Sequence, residues 1–383
     1  MISVRLVPCL FLVAAPLAAQ GTTSNYVTRL GRDTMFLERV TRTVSRLEGD
    51  QFVTTPRTAR VHYVATLDGQ GRITAIEVTR RPGVEGATPA VTAWQAKVQD
   101  TTVTITLQRP NRADTTFVFR VKPDAVPNIF MGLGLYEQLA MQARKAGGDS
   151  VALETYAAGN RAAVPTYVVK KGRDSVAIDF FGTPFYLRVD GSGRLLGLNG
   201  ARTTQKFLTE RVSNLNFDQV SESFVSRERA GVVGGPMSTR DTARAQSGDA
   251  NVWVDYGRPL TRGRQIFGGV VPWNEVWRTG ANAATQLNTA IDLKVGDGLI
   301  PAGKYTLWTL PTPAGATLII NKQTGQWGTE YDPSQDLLRV DLRTERLPIL
   351  VERFTIAVVP VGNGGEIRFD WDKTRWVLPF TVK

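Results

Sequence analysis

Short segments in which apolar and polar residues alternate dominate the first half of the chain, from residue 25 to about residue 200. In the clearest example, residues 61–67 and 73–78 alternate in this way on either side of an Asp-Gly-Gln-Gly turn at 68–71. A period of two is typical of strands that bury one face, and a glycine-containing turn between two such strands predicts a β-hairpin. Three further pairs have the same pattern: residues 102–108 with 115–121, 167–170 with 175–180, and 185–189 with 195–198. Successive hairpins of this kind predict an antiparallel meander.

Two segments have helical spacing instead. Residues 128–146 carry apolar residues three and four positions apart and end at Gly147-Gly148, which predicts an amphipathic helix with a glycine cap. Residues 216–228 place Phe217 and Phe224 on one face and predict a second helix. A long meander with a helix can close as a barrel, or curl as a half-barrel with the helix as its lid. In outline this resembles the half-barrel of the lipoprotein carriers (LolA-like), a likeness of architecture that carries over neither residues nor function.

A stretch rich in Gly, Ser, Thr and Ala, residues 231–250, precedes seven of the eight tryptophans. The strands after it are short and separated by turns, which is typical of a β-sandwich. About 360 residues would follow a cleaved leader, more than one core usually serves. We therefore predict a mainly β protein with a signal peptide at 1–20, an antiparallel barrel or half-barrel domain with one or two helices at 21–230, a linker at 231–250 and a β-sandwich domain at 251–383.

The last part of the chain carries recognisable motifs: VDYGRP at 254–259, RGRQIFGG at 262–269, WRTGAN at 277–282, PAGKYTL at 301–307 and QWG at 326–328. From about residue 236 to the end, this part resembles the bacterial family called domain of unknown function 2911 (DUF2911). The resemblance implies an exported β-sandwich-like domain with no established activity. It does not extend to the first domain.

Residues 255–282 are rich in glycine, include four arginines and show little alternation. The pattern predicts a long ordered loop, and such loops are usually functional or strongly self-packed. Guanidinium groups keep their charge and form bidentate hydrogen bonds with carboxylate, phosphate or sulfate. Tryptophan provides a flat surface on which a sugar or an aromatic ring can stack. We predict a shallow site for an anionic ligand or glycan, with these binding residues: Arg258, Arg264, Trp277, Arg278, Asn282, Lys322 and Trp327. In the alternative interpretation, the arginines pair with Asp255, Glu275 or Asp336 and only hold the loop in one conformation.

The chain has 42% apolar and 21% charged residues and a formal charge of +11. Residues 236–383 contain 17 Lys and Arg against 15 Asp and Glu, so most of the excess positive charge lies in the first domain. The basic residues are scattered, without a run of them or an aromatic RNA-binding motif, which argues against a nucleic-acid partner. Anionic lipid head groups or envelope polyanions fit the surface charge, as does simple solvation.

The first residues predict export. Arg5 precedes an apolar run and small residues at 18–19, the pattern of a secretory signal peptide. No later stretch is long enough for a transmembrane helix. The single cysteine, Cys9, falls inside the apolar run rather than at a lipoprotein cleavage point. We therefore expect a periplasmic or secreted protein without disulfides or a lipid anchor.

The residues for common catalytic chemistry are scarce. His62 is the only histidine, and it lies in a predicted strand, so we predict no zinc site, no catalytic triad and no cofactor. We expect a non-enzymatic binding module. One alternative is a hydrolase of envelope polysaccharide that uses paired carboxylates, with Glu275, Asp370 and Asp372 as candidates. The other is a lipophilic carrier, whose first domain would enclose a cavity for an envelope lipid under the helix near residues 133–146.

Overall fold

The computed structural model describes residues 21–86, 92–180, 183–232, 237–247 and 250–382. The signal peptide predicted at 1–20 lies outside the described residues. The described chain is mainly β and forms two large sheets, which confirms the predicted fold class. We call residues 21–232 the N-terminal domain and residues 237–382 the C-terminal domain.

The described part of the N-terminal domain forms an antiparallel meander with two helices. Its strands are β1 (Thr22–Leu30), β2 (Asp33–Arg42), β3 (Arg46–Val53), β4 (Ala59–Leu67), β5 (Ile73–Pro82), β6 (Thr92–Gln99), β7 (Thr102–Gln108), β8 (Thr115–Arg120), β9 (Val126–Pro127), β10 (Ser150–Tyr156), β11 (Val164–Lys170), β12 (Ser175–Asp179), β13 (Phe185–Val189), β14 (Leu195–Asn199) and β15 (Leu208–Val212). The helices are α1 (Leu133–Ala146) and α2 (Phe217–Arg229). All four predicted hairpins and both predicted helices are present.

These strands make one sheet in the order β8-β7-β6-β5-β4-β3-β2-β1-β15-β14-β13-β12-β11-β10-β9. Helix α1 contacts both β3 and β10, which are eight strands apart in this order. In a flat sheet those strands would be separated by roughly 38 Å, whereas a 14-residue helix is about 21 Å long. The sheet must therefore curl around α1, as the barrel or half-barrel prediction requires.

Helix α2 packs on the opposite face of the same sheet. Its Phe217 and Val225 join Val27, Leu37 and Phe52 in a second apolar cluster. Neighbouring residues of a strand point to opposite faces, so β2 directs Leu37 toward α2 and Glu38 toward α1.

Buried carboxyl groups fasten α1 inside the curl. Glu38 accepts hydrogen bonds from the Leu133 amide and the Tyr63 hydroxyl, both at 2.7 Å, and burial raises the pKa of Glu38 to about 7. Glu137, on α1, has no exposed side-chain surface and pairs with Arg42 at 3.3 Å and Arg194 at 2.9 Å. The interior under the helix is thus occupied by packed and hydrogen-bonded side chains.

The C-terminal domain contains the strands β16 (Ser238–Ser247), β17 (Ala250–Pro259), β18 (Thr285–Thr289), β19 (Leu293–Val295), β20 (Gly298–Ile300), β21 (Gly303–Thr312), β22 (Gly315–Asn321), β23 (Asp336–Val361) and β24 (Gly364–Val382). Their order is β16-β17-β18-β21-β22-β23-β24-β19-β20. Long strand β23 pairs with β22 through its first part and with β24 through the rest. The Tyr256 hydroxyl on β17 donates to the Ile356 carbonyl on β23 at 3.2 Å, so these two strands contact each other although they are not neighbours in the sheet order.

Two predicted boundaries differ from the structure. Strand β16 occupies residues that we predicted as part of the 231–250 linker. Its small and polar residues suit an edge strand as well as a linker, and only its pairing with β17 distinguishes the two. The irregular segment predicted at 255–282 starts later, because residues 255–259 belong to β17.

The two domains meet at a group of charged residues that we call the clasp: Arg32, Asp33, Arg262 and Glu352. The buried guanidinium of Arg262 pairs with Asp33, and the Arg262 carbonyl accepts a hydrogen bond from the Arg32 amide at 3.0 Å. Arg32 also lies 3.8 Å from Glu352. None of the described helices has the length and apolar character that a membrane crossing requires.

Candidate functional site

A cleft of about 930 Å³ lies beside the clasp, with walls from both domains. We call it the interdomain cleft. The N-terminal domain contributes Phe130 and Lys206, and the C-terminal domain contributes Arg264, Arg278 and Trp327. The volume is typical of a site for a small molecule, and the boundary between domains is a common place for one.

Arg278 lies on the irregular segment, directly after a residue whose backbone is hydrogen-bonded to β21. The neighbouring Trp277 exchanges backbone hydrogen bonds with Thr309 at 2.8 and 2.9 Å. Gly328 lies so close that a Cβ atom built on it would be 2.0 Å from the Arg278 Cδ atom. The Arg278 Nε atom is buried and has no hydrogen-bond partner among the described residues. Burial alone lowers the pKa of Arg278 to about 10, and no ion pair with a described carboxylate offsets this cost.

Arg264 is positioned by main-chain carbonyl groups rather than by acids. Its Nε atom donates to Thr261 at 3.0 Å and its Nη2 atom donates to Leu260 at 2.6 Å. Burial, followed by repulsion from Arg262, lowers the pKa of Arg264 to about 10. Arg264 therefore presents a guanidinium of fixed orientation to the cleft.

Lys206 comes from the connection between β14 and β15 in the N-terminal domain. Its Nζ atom donates to the Ala201 carbonyl at 3.0 Å. Burial lowers the pKa of Lys206 to about 8, with help from Arg278 and Arg264 and against the attraction of Glu275. Sequence reasoning missed this residue, because nothing near Lys206 in the chain indicates that it meets arginines of the other domain.

Aromatic rings form the apolar part of the site. Trp277 stacks on Trp371 with ring centroids 5.7 Å apart and an interplanar angle of 15°, and both rings are buried. Trp327 also lines the cleft and is 44% exposed. Trp277 and Trp371 thus form the buried aromatic part of the cleft wall, and Trp327 forms the exposed part.

Five of the seven predicted binding residues line the cleft: Arg264, Trp277, Arg278, Asn282 and Trp327. Asn282 adopts a left-handed backbone conformation with φ 64°, and its carbonyl accepts from the Gly328 amide at 3.0 Å.

The other two predicted residues lie elsewhere. Arg258 follows the packing alternative, because its guanidinium donates to Asp241 at 2.7 Å, Thr355 at 2.9 Å and the Phe354 carbonyl at 3.2 Å. Lys322 is exposed and is not among the residues that line the cleft. Sequence spacing cannot tell which cation has a carbonyl or carboxylate opposite it in the fold.

Positive charge dominates the cleft walls. Among the described residues that line the cleft, four are cationic, Arg202 being the fourth, and Glu275 is the single carboxylate. Asp370, a candidate for paired-carboxylate chemistry, is held by Arg375 at 2.7 and 2.8 Å. No group of three or more His, Cys, Asp or Glu residues is arranged for a metal ion within the described chain.

A second, smaller pocket lies at the C-terminal end of α1. It has a volume of about 290 Å³ and is lined by Ala140, Val151 and Val168, together with the cations Arg144, Lys170 and Arg173. Leu133, Leu135 and Leu139 of the helix, near which the lipophilic-carrier alternative places a cavity, are packed into the core.

Comparisons with known proteins give families of unknown function. No curated protein matches the chain. A crystal structure of a DUF1089 family protein from Pseudomonas aeruginosa has 9% identity and a TM-score of 0.32, and the match covers 43% of this chain and 89% of that one. A beta-barrel-like protein of domain of unknown function DUF1849 from Brucella abortus has 13% identity and a TM-score of 0.36, with 51% and 98% covered. Residues 238–380 match the family described as protein of unknown function (DUF2911), so the resemblance of the C-terminal domain to this family is confirmed.

Proposed function

We propose that this protein acts outside the cytoplasm and binds an anionic ligand, an acidic glycan or a small molecule with a carboxylate, sulfate or phosphate group, in the interdomain cleft. The observation that supports the proposal most strongly is the environment of the Arg278 guanidinium. The guanidinium lines the cleft, is largely buried and has no carboxylate partner among the described residues.

The electrostatics of the cleft favour an anion. The charges of Arg264 and Arg278 both act on Lys206, and burial lowers the pKa of all three groups. A buried cation without a partner costs free energy, and a cation near like charges costs more. A bound anion would offset both costs and would gain charge-assisted hydrogen bonds from the guanidinium groups. The exposed ring of Trp327 would add a stacking surface for a sugar or another flat group.

A binding role fits the cleft better than hydrolysis does. Glycoside hydrolysis by carboxylates requires a pair of them about 5 to 10 Å apart. Glu275 has no second carboxylate beside it among the residues that line the cleft in the described chain. We therefore propose that the cleft binds its ligand without converting it, and we assign none of its residues a catalytic role.

The binding proposal can be tested with oligogalacturonides and their fully methyl-esterified forms, which share a sugar backbone and differ in charge. We expect calorimetry to detect binding of the acidic form only, with an affinity that falls as salt is added. Arg278→Met and Arg264→Met should each weaken binding about tenfold to a hundredfold, the value of a hydrogen bond to a charged group. Arg112→Met is the matched control, since Arg112 is an exposed arginine outside the cleft.

Two results would refute the proposal. One is equal binding of the acidic and esterified forms, and the other is normal affinity in both cleft variants. Inorganic phosphate and a sulfated oligosaccharide serve as further probes, so that a preference among anions is not mistaken for a lack of binding.

Export needs its own experiment. Expression of the full chain in a bacterial host, followed by fractionation and mass spectrometry of the N-terminus, should find a protein that begins close to residue 21 in the periplasm or medium. Deletion of residues 2–20 should retain the protein in the cytoplasm. Recovery of the uncleaved full chain from the cytoplasm would contradict this part of the proposal.

A further inference from the structure

Lys206 is surrounded by an unusual set of neighbours for a lysine. The charges that act on its ammonium group include two guanidinium groups, Arg278 and Arg264, and one carboxylate, Glu275. Its hydrogen bond goes to a neutral main-chain carbonyl, that of Ala201. Lysines on protein surfaces usually extend into water or pair with acids, whereas this one is half-buried in a cationic cleft.

The backbone at Lys206 is also special. The residue has a φ of 55°, a left-handed conformation that costs free energy in residues other than glycine and occurs often at functional sites. Its amide donates to the Thr203 hydroxyl at 3.2 Å, and that hydroxyl donates to the Gly200 carbonyl at 2.7 Å. The loop is therefore held in the conformation that places Lys206 in the cleft wall.

These surroundings change the chemistry of the amine. Burial and the two arginines lower the pKa of Lys206 to about 8, so a far larger fraction of it is neutral near pH 7 than of an ordinary lysine. A neutral lysine amine is a nucleophile toward carbonyl groups, and desolvation or a nearby cation is the usual way in which proteins activate one.

We infer that Lys206 forms an imine with an anionic carbonyl compound, an α-keto acid or the open-chain form of an acidic sugar, whose acid group is held by Arg264 and Arg278. This inference rests on the proposed function, because the anion must bind before the carbonyl group meets the amine. The cleft has the three parts that such a ligand needs: guanidinium groups for the acid, the Trp327 ring for an apolar or sugar face, and Lys206 for the carbonyl.

The reaction requires no further reagent. Lys206 first loses its ammonium proton to water. The Nζ lone pair then attacks the carbonyl carbon, a C–N bond forms while the C=O π bond breaks, and one Nζ proton moves to the oxygen, which becomes a hydroxyl group. The C–O bond then breaks, the hydroxyl leaves as water with the second Nζ proton, and the C=N bond of the imine remains. One water is released for each ligand bound, nothing is oxidised or reduced, and the step reverses on hydrolysis.

Reductive trapping tests the inference. The purified protein is incubated with glyoxylate and cyanoborohydride, and labelled lysines are located by peptide mass spectrometry. We expect Lys206 to be labelled about tenfold or more faster than Lys294, an exposed lysine of the C-terminal domain, because anion binding raises the local concentration of the aldehyde and the amine is activated. Acetaldehyde, which has no acid group, should show a much smaller preference for Lys206.

Variants separate this inference from the proposed function. Arg278→Met should slow the trapping of glyoxylate at Lys206 much more than that of acetaldehyde, because acetaldehyde loses only the effect of Arg278 on the pKa of the amine, whereas glyoxylate also loses a partner for its carboxylate. Lys206→Arg keeps a positive charge and a hydrogen-bond donor, so it should still bind oligogalacturonide while the label in the cleft disappears. If glyoxylate labels Lys206 no faster than Lys294 in a protein that binds oligogalacturonide, the imine is refuted and the proposed function stands. If neither binding nor selective labelling occurs, both fail.

Discussion

Gly328 provides a test of the site that leaves every charged group in place. It packs directly against the aliphatic part of Arg278, and the contact leaves no room for a side chain. A Cβ atom at this position would be 2.0 Å from the Arg278 Cδ atom and 2.4 Å from the Asn282 carbonyl oxygen. Gly328→Ala should therefore push the Arg278 side chain and the Asn282 backbone away from their positions in the cleft wall.

Two effects of different size should follow. Overpacking of this kind costs about 2 kcal/mol, which lowers the melting temperature of a domain of this length by about 4 to 8 °C. Displacement of the guanidinium removes a charge-assisted hydrogen bond to the ligand and should weaken oligogalacturonide binding about tenfold or more. Circular dichroism follows the melting, and calorimetry at a temperature where the variant is folded follows the binding.

Gly315→Ala is the matched control, because a Cβ atom there would meet the Thr344 hydroxyl at an ordinary 3.5 Å. We expect it to change stability by less than about 0.5 kcal/mol and to leave binding intact. In an Arg278→Ala background, Gly328→Ala should cost less stability than in the wild type, because the nearest clashing atom is gone. A Gly328→Ala protein with wild-type melting and wild-type affinity would show that Arg278 is not held where the structure has it.

Three further predictions concern buried ionisable groups. Glu137→Gln should lower the free energy of unfolding by about 3 kcal/mol, because it leaves the guanidinium groups of Arg42 and Arg194 without a charged partner. Urea titration measures this change, and an unchanged unfolding midpoint would contradict the prediction. The pKa of Glu38 is raised from 4.5 to about 7, so between these pH values the folded state keeps a proton that the unfolded state has lost. As the pH rises through this range, the free energy of unfolding should therefore fall by about 3 kcal/mol because of this group. The difference in unfolding free energy between wild type and Glu38→Gln should follow that course, and a difference independent of pH would refute it. Lys206, with a pKa lowered to about 8, loses its charge at a lower pH than Arg264 and Arg278, whose pKa values are lowered to about 10. Affinity for oligogalacturonide should therefore fall between about pH 7 and 9 in the wild type and stay nearly constant over that range in Lys206→Met; parallel profiles would contradict the assignment of Lys206 to the site.

The sequence predicted most of the local structure because local patterns specify it. Period-two alternation and glycine-containing turns located the hairpins, such as β4 with β5. The predicted helix at 128–146 begins later, at Leu133, since Met131 adopts a positive φ of 58° and Gly132 caps the helix. The positive φ and the position of the cap depend on the contacts of that turn with the sheet. One of these contacts is the hydrogen bond from the Gln51 side-chain amide to the Met131 carbonyl at 2.7 Å.

The candidate site divides in the same way. The WRTGAN motif and the arginine-rich segment indicated Arg264, Trp277, Arg278 and Asn282, since charge and ring type can be read from the chain. Arg258 lies outside the cleft because its side chain meets β23, about 100 residues away, where Phe354 and Thr355 accept its hydrogen bonds. Lys206 was missed because its relevant neighbours belong to another domain.

The amino-acid order by itself determined which segments become strands and helices and which residues carry positive charge or an aromatic ring. These properties depend on each residue and its close neighbours in the chain. The curl of the sheet around α1, the clasp between the domains and the choice of which cations keep no partner were decided only by the tertiary structure. A hydrogen bond or an ion pair joins groups that are adjacent in space. Such groups often lie far apart in the chain, and the local sequence pattern around each of them does not indicate which groups will meet.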